Sequence, residues 1–254
     1  MTEKGDYKNF AEPIKKRNYD VPIYRIIPID YILKIIEKKE LTLSQTILWE
    51  DVYENFLSKT KFYIRNNMTS IGYSLSIYGQ CWSLKKESDA LWRIYSQNKH
   101  SVRIKTTINK LYNVSFNEKN YEKFSTHTRN IGQVEYFSKS QIINWIKERK
   151  AKNIFLNIFD EVDSLFIKRK EFKHESEVRL IIYKVLKEED IVYQNQKRFI
   201  KLNINPNEII EEITFDPRLD DDTFFTYKNA IKKMGYGNII NKSNLYKFDT
   251  IIIK

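Results

Sequence analysis

The chain has 254 residues, of which 41% are hydrophobic and 30% are charged, a composition typical of a globular protein that excludes an intrinsically disordered one. Its formal net charge is +11, so nucleic acid is the partner that electrostatics favours first. The single cysteine, Cys81, excludes an intramolecular disulfide framework and favours a reducing compartment.

The positive charge has two readings that composition leaves open. Lysine is spread through the whole chain, which is also typical of a solvated surface; the denser clusters at 15–17 and 168–170 are where nucleic acid is expected first. No apolar run approaches the roughly 20 residues of a membrane helix, and the polar N-terminus lacks a signal sequence. We therefore expect a cytoplasmic protein with no membrane partner.

Hydrophobic periodicity predicts interspersed strands and helices in the first half of the chain. Residues 1–20 show no clear period and are expected to form a polar N-terminal arm before a single domain at 21–254. Strands are expected at 21–27, 41–43, 71–84 and 101–106. Helices are expected after Asp30, which would cap the first of them, and at 49–67 and 87–97.

The second half begins with a polar loop expected at 112–129. Strands are expected at 131–137, at 175–185, at 198–202 and at 210–215, with a helical turn at Pro206 and short strands and turns at 239–253. Helices are expected at 139–150, 153–168 and 220–234, the last ending at Gly235. The elements follow no regular βαβ rhythm, which predicts an α+β fold.

The segment 174–179 is the most informative part of the sequence. On a strand, alternation places Glu175, Glu177 and Arg179 on one face, with the two carboxylates within roughly 7 Å of each other. Their repulsion raises one pKa, whereas Arg179 lowers it. The alternative is a charge ladder on a solvent-facing sheet, but the apolar run at 180–183 favours a buried central strand.

Other candidate residues have a structural and a functional reading. Arg25, beside Tyr24 at the end of the first predicted strand, can bind a phosphate or simply face solvent. Trp92 and Tyr95 share a helical face, which favours core packing over stacking on a ring. Cys81 is expected to be a buried structural residue. Zinc, Walker and Rossmann motifs are absent from the sequence, and no metal site is expected.

Several stretches together resemble the domain-of-unknown-function family 2971, from about residue 23 to the tail. They are Tyr24-Arg25, the segment 49–55, Cys81-Trp82-Ser83, Leu91-Trp92-x-x-Tyr95, 101–104, 134–136, Phe172-x-x-Glu175-x-Glu177-x-Arg179, Asp216-Pro217-Arg218 and Lys242-Ser243-x-Leu245-Tyr246. The chain departs from the family pattern at Val178, where an aromatic residue is commoner, and at Trp82, where Phe is usual. The resemblance implies kinship with bacterial abortive-infection proteins of the AbiGi type, hence a phage-defence or toxin-like role and a partner protein of a defence system.

A second resemblance is to ADP-ribosyltransferases of the Arg-Ser-Glu class, because Arg25, Ser83 and Glu175-x-Glu177 occur in that order. It implies a mixed or antiparallel split sheet flanked by helices, with NAD as the substrate. Arg25 would hold the pyrophosphate and Ser83 would orient Glu177. Glu177 would bind the nicotinamide ribose and stabilise its oxocarbenium ion, while Glu175 would orient or deprotonate the acceptor. The NAD-binding residues implied in addition are Tyr24, Trp92, Tyr95 and Arg179, with Trp92 or Tyr95 stacking on nicotinamide.

Three functions remain open at this point. The first is an NAD-consuming or ADP-ribosyltransferase-like toxin or anti-phage effector that acts on nucleic acid. The second is a non-catalytic nucleic-acid-binding or regulatory subunit of a defence system, favoured by the charge of +11. The third is a metal-dependent nuclease that uses Asp51, Glu175 and Glu177.

Overall fold

A computed structural model describes residues 5–51, 53–64, 67–69, 76–116, 128–152, 157–183, 192–194, 197–248 and 250. Parts of the predicted strand at 71–84, loop at 112–129, helix at 153–168, strand at 175–185 and tail at 239–253 lie outside these residues. Within the described residues, no helix combines the length and hydropathy that crossing a membrane requires.

The described strands, in chain order, are β1 Gly5–Lys8, β2 Pro22–Pro28, β3 Glu40–Gln45, β4 Phe62–Ile64, β5 Asn67–Thr69, β6 Ile77–Ser83, β7 Ser101–Thr107, β8 Thr128–Gln133, β9 Glu135–Phe137, β10 Ile167–Arg169, β11 Glu177–Tyr183, β12 Val192–Gln194, β13 Lys197–Asn203, β14 Glu212–Phe215 and β15 Ile239–Lys242. The helices are α1 Glu12–Lys16, α2 Ile29–Lys38, α3 Phe56–Lys59, α4 Asp89–Tyr95, α5 Ile108–Val114, α6 Lys139–Lys152, α7 Ile158–Ser164, α8 Pro206–Ile209 and α9 Asp221–Lys233. Short 3₁₀ helices cover Thr46–Leu48 and Lys170–Glu175.

A large mixed sheet organises the molecule, with the strand order β1-β8-β11-β6-β2-β7-β14-β15. The pairs β1–β8 and β14–β15 are parallel, whereas β11 is antiparallel to both of its neighbours, β8 and β6. Helices lie against this sheet; α2, for example, buries Ile32, Ile35 and Ile36. The predicted α+β class with a mixed sheet is confirmed.

The sheet splits at β6. One edge of β6 is paired with β11 along its whole length, from Ile77 to Ser83. The other edge is shared by two strands: β3 pairs at Tyr78 and Gly79, and β2 pairs only at Ser83. The segment of β6 between these contacts has neither strand beside it, so β2 and β3 diverge and leave a cleft between them.

The central strand β11 contributes side chains to both sides of the sheet. Val178, Leu180 and Ile182 belong to the main apolar core, which also contains the buried face of α2. On the opposite face, Ile181 packs with Phe166 in a smaller cluster beside α7. Glu177 and Arg179 lie on this second face with Ile181 because strand side chains alternate. The predicted buried central strand is therefore confirmed.

Four of the local predictions are wrong. Residues 5–20 are not an irregular lead-in, because β1 joins the main sheet beside β8 and Phe10 is buried in the main core. Residues 52, 65 and 66 of the helix predicted at 49–67 lie outside the described residues; of the rest, only α3 is α-helical. The β4–β5 pair follows it, because the helical spacing of apolar residues does not continue beyond Lys59. Pro28, not Asp30, is the N-cap of α2. In addition, the helix predicted through residue 168 ends at Ser164, and β10 follows.

Candidate active site

The candidate site is the cleft at the split in the sheet, with a volume of about 750 Å³. Tyr24 of β2 pairs with Ser83 of β6, which pairs in turn with Glu177 of β11, so the three residues form one row across the sheet. The cleft brings together most of the residues that the sequence singled out. These are Tyr24, Arg25, Ser83, Tyr95, Glu175 and Glu177.

Five buried charged side chains form a cluster at this cleft, here called the carboxylate cluster: Glu54, Lys168, Glu175, Glu177 and Arg179. Lys168 Nζ lies 2.6 Å from Glu175 Oε2 and 3.2 Å from Glu177 Oε1, and it also lies 3.1 Å from Glu54 Oε1. Arg179 donates from Nε to Glu177 Oε2 at 2.8 Å and from Nη2 to Glu54 Oε1 at 2.5 Å. Three carboxylates therefore share two cations.

The burial of Glu175, Glu177 and Arg179 decides whether the segment 174–179 is a candidate site or a solvent-facing charge ladder. None of the five residues of the carboxylate cluster is more than 6% exposed. A charge ladder on a solvent-facing sheet, the alternative that the sequence left open, is therefore wrong. Burying a charged side chain lowers the stability of the fold unless an opposite charge is paired with it. Three carboxylates with two cations leave one negative charge unpaired, and stability alone does not explain this arrangement.

Glu175 reaches the cluster by a different route from the one predicted. The strand begins at Glu177, whereas Glu175 ends the 3₁₀ helix Lys170–Glu175. Between them Ser176 adopts the left-handed conformation, with φ 48°, which breaks the strand alternation. Glu175 and Glu177 are thus brought together by Lys168, and the prediction that they share one strand face is wrong, although Glu177 and Arg179 do share one.

The pKa values of the two neighbouring carboxyl groups, Glu175 and Glu177, are shifted in opposite directions. Burial, reinforced by the charge of Glu177, raises the pKa of Glu175 above its ordinary value. Burial acts in the same direction on Glu177, but Arg179 and Lys168 outweigh it and hold the pKa of Glu177 below its ordinary value. Glu177 is therefore the fixed anion of the pair, and Glu175 is the group better suited to accept a proton.

A small two-stranded sheet positions the partners of Glu177. β10 pairs with β9 in a register that places Lys168 opposite Tyr136. The Tyr136 hydroxyl accepts a hydrogen bond from the Glu177 backbone N–H at 2.8 Å, while Lys168 contacts the Glu177 carboxylate. Phe172 covers the Lys168 ammonium at 4.6 Å from its ring centroid. This sheet fixes the start of β11.

Trp49 forms part of the cleft wall and covers the buried arginine. The Arg179 guanidinium lies 4.6 Å from the Trp49 ring centroid. Trp49 can approach β6 this closely because Gly79 has no side chain there; a Cβ at Gly79 would lie 2.6 Å from a carbon of the indole. The glycine therefore sets the depth of the cleft.

Ser83 has a different partner from the one that the transferase resemblance implied. Its hydroxyl donates to the backbone carbonyl of Glu175 at 2.6 Å and accepts from the Lys85 backbone N–H at 3.0 Å. The Leu84 N–H also donates to the Ser176 carbonyl. Ser83 thus fixes the turn between the two glutamates and does not hydrogen-bond the Glu177 carboxylate.

Arg25 lies beside the single residue pair that joins β2 to β6, and it lines the cleft. Among the described residues it makes no hydrogen bond and no ion pair. An unpaired guanidinium in a concave site is a receptor for a phosphate or carboxylate group. Next to it, burial raises the pKa of Tyr24.

The structure separates the two aromatic residues of α4. Trp92 has no exposed surface, does not line the cleft, and donates from Nε1 to Glu87 at 3.0 Å. Its proposed stacking on nicotinamide is therefore wrong, because α4 packs Trp92 into the core. Tyr95 is 44% exposed and lines the cleft, with its hydroxyl donating to Glu175 Oε1 at 3.0 Å.

Arg179 is also not a cofactor-binding residue in this structure. It is fully buried, and its Nη1 donates to the Leu165 carbonyl at 2.6 Å in addition to its two carboxylate contacts. The predicted contact with NAD is wrong because no surface of Arg179 faces the cleft. Its role is to hold the carboxylates of Glu177 and Glu54.

Sequence reasoning missed three residues of the site: Glu54, Lys168 and Trp49. Lys168 was assigned to a basic cluster at 168–170 for nucleic acid, but it is buried, and Arg169 is ion-paired with Asp51 at 2.9 Å. The signal for Lys168 was the alternation in β10, where Ile167 packs into an apolar cluster and Lys168 must face the other way. Glu54 had no local signal.

A cysteine nucleophile and a metal site find no support here. Cys81 lines the cleft and is only partly buried, which differs from the buried position predicted. Burial and the Glu177 charge raise the pKa of its thiol, so it stays protonated. Among the described residues no group of acidic, histidine and cysteine side chains is arranged to hold a metal ion, and Lys168 occupies the space between the carboxylates.

Comparison with known proteins gives distant structural matches. Three structures of DarT from Thermus sp. 2.9, in complex with carba-NAD⁺, with NAD⁺ and with ADP-ribosylated ssDNA, are each 10% identical in sequence, with TM-scores of 0.39, 0.38 and 0.38. The alignments cover 88%, 89% and 89% of this chain and 96%, 98% and 96% of the respective DarT chains. Similarity at this level carries no argument about function.

No curated protein matches the chain. Residues 91–180 match the model of a protein family of unknown function, DUF2971. The match runs from α4 to β11 and contains Tyr95, Lys168, Glu175, Glu177 and Arg179. The resemblance to DUF2971 is thereby confirmed over residues 91–180.

Proposed function

We propose that the chain is an NAD-dependent ADP-ribosyltransferase or NAD-cleaving enzyme, with nucleic acid as the acceptor. The observation that carries this proposal is the convergence, on one cleft, of an unpaired arginine and two buried carboxylates with opposite pKa shifts. A volume of about 750 Å³ is in the usual range for small-molecule and cofactor sites.

The cleft supplies a group for each charge that develops during NAD cleavage. Arg25 would bind the pyrophosphate, the part of NAD with the most negative charge. Glu177, held ionised by Arg179 and Lys168, would accept a hydrogen bond from the nicotinamide ribose through Oε1. That oxygen is contacted by Lys168 at 3.2 Å, whereas Oε2 accepts from the Arg179 guanidinium at 2.8 Å. As the bond from ribose C1 to nicotinamide breaks, the fixed anion would stabilise the oxocarbenium ion.

The acceptor is proposed from the surface around the cleft. Lys85 and Lys86 are exposed and line the cleft together with Arg25, within a chain of net charge +11. Such a rim attracts a phosphate backbone. Glu175, whose pKa is raised, would receive the proton that the acceptor loses. We further propose a cytoplasmic toxin or anti-phage effector role, following the resemblance to abortive-infection proteins.

The test is release of nicotinamide from NAD by the wild type and by Glu177→Gln. Because the substitution keeps the shape of the side chain but removes the charge, we expect at least about a 100-fold loss of release. Glu171→Gln is the matched control, as Glu171 lies on the neighbouring 3₁₀ helix, is exposed and does not line the cleft. No release by the wild type, or equal release by Glu177→Gln, would contradict the proposal.

The second candidate, a non-catalytic nucleic-acid-binding subunit of a defence system, is favoured by the same exposed lysines and the net charge. A binder would retain single-stranded DNA affinity in Glu177→Gln and lose affinity steeply with salt. Gel shifts of both proteins at increasing salt, beside the nicotinamide assay, separate the two functions.

A further inference from the structure

Both carboxylate oxygens of Glu175 are already hydrogen-bonded. Its Oε2 accepts from Lys168 at 2.6 Å and its Oε1 accepts from the Tyr95 hydroxyl at 3.0 Å. The residue is 6% exposed, whereas Tyr95 is 44% exposed. Tyr95 and Glu175 both line the cleft, and the Tyr95 hydroxyl is the hydrogen-bonded neighbour through which Glu175 Oε1 can exchange a proton with an acceptor.

We propose that Tyr95 is a catalytic residue that relays the acceptor's proton to Glu175. This inference rests on the proposed function and adds a residue to it. The phenol would accept the proton of the acceptor's O–H or N–H group on Oη while its own proton passes to Glu175 Oε1. Lys168 acts as a positioning residue, because it fixes the other oxygen of the same carboxylate.

The transfer needs no further reactant, because each bond that forms is matched by a bond that breaks. The acceptor atom forms a bond to ribose C1 as the bond from C1 to the nicotinamide nitrogen breaks, and the bonding pair leaves with neutral nicotinamide. The acceptor's proton ends, through Tyr95, on Glu175. Tyr95 starts and finishes as a neutral phenol.

The electrostatics of Tyr95 favour a relay over a phenolate base. Burial and the adjacent Glu175 charge raise the pKa of Tyr95 well above its ordinary value. The hydroxyl therefore remains protonated at neutral pH and can only take up a proton while it gives one away. Glu175, with its raised pKa, is matched to the receiving role.

The test uses labelled NAD and mixed-sequence single-stranded DNA oligonucleotides, and it measures oligonucleotide modification and nicotinamide release separately. Tyr95→Phe should lower oligonucleotide modification by about 100-fold, the usual contribution of general acid–base catalysis. Nicotinamide release in the absence of oligonucleotide is measured for each variant, and the relay is read from the ratio of oligonucleotide modification to that release, which Tyr95→Phe should lower. Glu175→Gln should lower the same ratio.

Two further variants make the test specific. The double variant Tyr95→Phe/Glu175→Gln should transfer no more slowly than either single variant, because residues that act as a unit are not additive. Tyr246→Phe is the matched control: it removes another tyrosine hydroxyl that donates to a carboxylate of α4, Asp89, outside the cleft lining. It should transfer like the wild type.

Four outcomes would overturn the relay. If the wild type releases no nicotinamide, the proposed function fails and the relay fails with it. If the wild type releases nicotinamide but modifies no oligonucleotide, the acceptor relay alone is wrong. The relay alone is also wrong if Tyr95→Phe modifies oligonucleotides at the wild-type rate, or if the double variant loses the product of the two single effects.

Discussion

Two places in this chain carry an acidic residue followed two positions later by arginine, and the structure uses them differently. In Asp216-x-Arg218, the aspartate accepts from the Arg218 backbone N–H, Nε and Nη2 at 2.7–2.9 Å. In Glu177-x-Arg179, the arginine is shared with Glu54, and Lys168 joins Glu175 to the group. The first is a one-to-one pair, and the second has three carboxylates for two cations.

The difference extends to protonation. Arg218 outweighs burial and holds the pKa of Asp216 below its ordinary value, and its spare N–H groups cap the carbonyls of Trp92 and Ser96 at the end of α4. In the carboxylate cluster the pKa of Glu177 is lowered while that of Glu175 is raised. The one-to-one pair of Asp216 and Arg218 supports a helix end. The carboxylate cluster, which has more carboxylates than cations, keeps one carboxylate available for proton transfer.

Removing Lys168 should have the largest effect on stability. Lys168→Met leaves three carboxylates around one arginine, and we expect the free energy of unfolding to fall by about 4 kcal/mol at pH 8. Loss of the ammonium raises the pKa of Glu175 further, so its folded pKa lies above its unfolded one, and stability decreases as pH rises through the folded pKa. The deficit should therefore be smaller at pH 5. Denaturant unfolding at both pH values measures it.

Lys170→Met is the control for that experiment, because Lys170 is exposed two residues away. It should cost little at either pH, and Lys168→Arg should recover part of the loss. A Lys168→Met deficit that is equal at pH 5 and pH 8 would mean that Lys168 does not hold the charge of Glu175.

The one-to-one pair should show the opposite pH dependence. Asp216→Asn should lower the free energy of unfolding by about 3 kcal/mol at pH 7, because it breaks a buried pair. The folded pKa of Asp216 is depressed, so this stabilisation is present above its unfolded pKa and is lost as pH falls through the folded value. Unfolding curves of both proteins should converge towards low pH; a constant difference would contradict the pairing.

The close approach of Trp49 to the strand can be tested through Gly79. In Gly79→Ala the new Cβ would lie 2.6 Å from the indole and 2.8 Å from Ile181, so we expect a loss of about 2 kcal/mol and a shift in tryptophan fluorescence. Gly237→Ala, where the nearest atom is 3.9 Å away, is the control. Equal melting temperatures for the two variants would contradict the packing.

The smallest stability effect is expected at Glu177 itself. Glu177→Gln leaves two carboxylates for two cations, so the loss of one charged hydrogen bond is offset by removal of the surplus charge, and the change should be below about 1 kcal/mol. Thermal unfolding of the variant checks this. A large loss would show that Glu177 is a structural residue, like Asp216.

Much of the fold could be read from the sequence, because strand alternation and apolar runs are local signals. The buried strand β11, the helix α9 with its end at Gly235 and the strands β2, β7 and β13 follow their patterns. The irregular segment expected at 5–20 fails because long-range pairing decides there: β1 becomes a strand only through its contact with β8. The helix predicted at 49–67 fails for a local reason, since its second half forms the β4–β5 pair.

The candidate site was predictable in its residue types but not in its contacts. Arg25, Ser83, Glu175 and Glu177 do line one cleft. Glu54 is not predictable because it reaches the site from a distant part of the chain. Lys168 is only 7 residues from Glu175, but its basic neighbours at 168–170 favour a surface position, and the left-handed conformation of Ser176 has no sequence signal. The burial of Arg179 likewise depends on elements packed over it, whereas the core packing of Trp92 follows from its helical spacing and is confirmed.

The most direct test of the central claim is a crystal structure of Glu177→Gln in complex with NAD. The variant should bind NAD without cleaving it. The account predicts pyrophosphate oxygens about 3 Å from the Arg25 guanidinium, with the nicotinamide ribose beside residue 177. NAD bound outside this cleft, or bound in it with Arg25 turned away from the phosphates, would contradict the account.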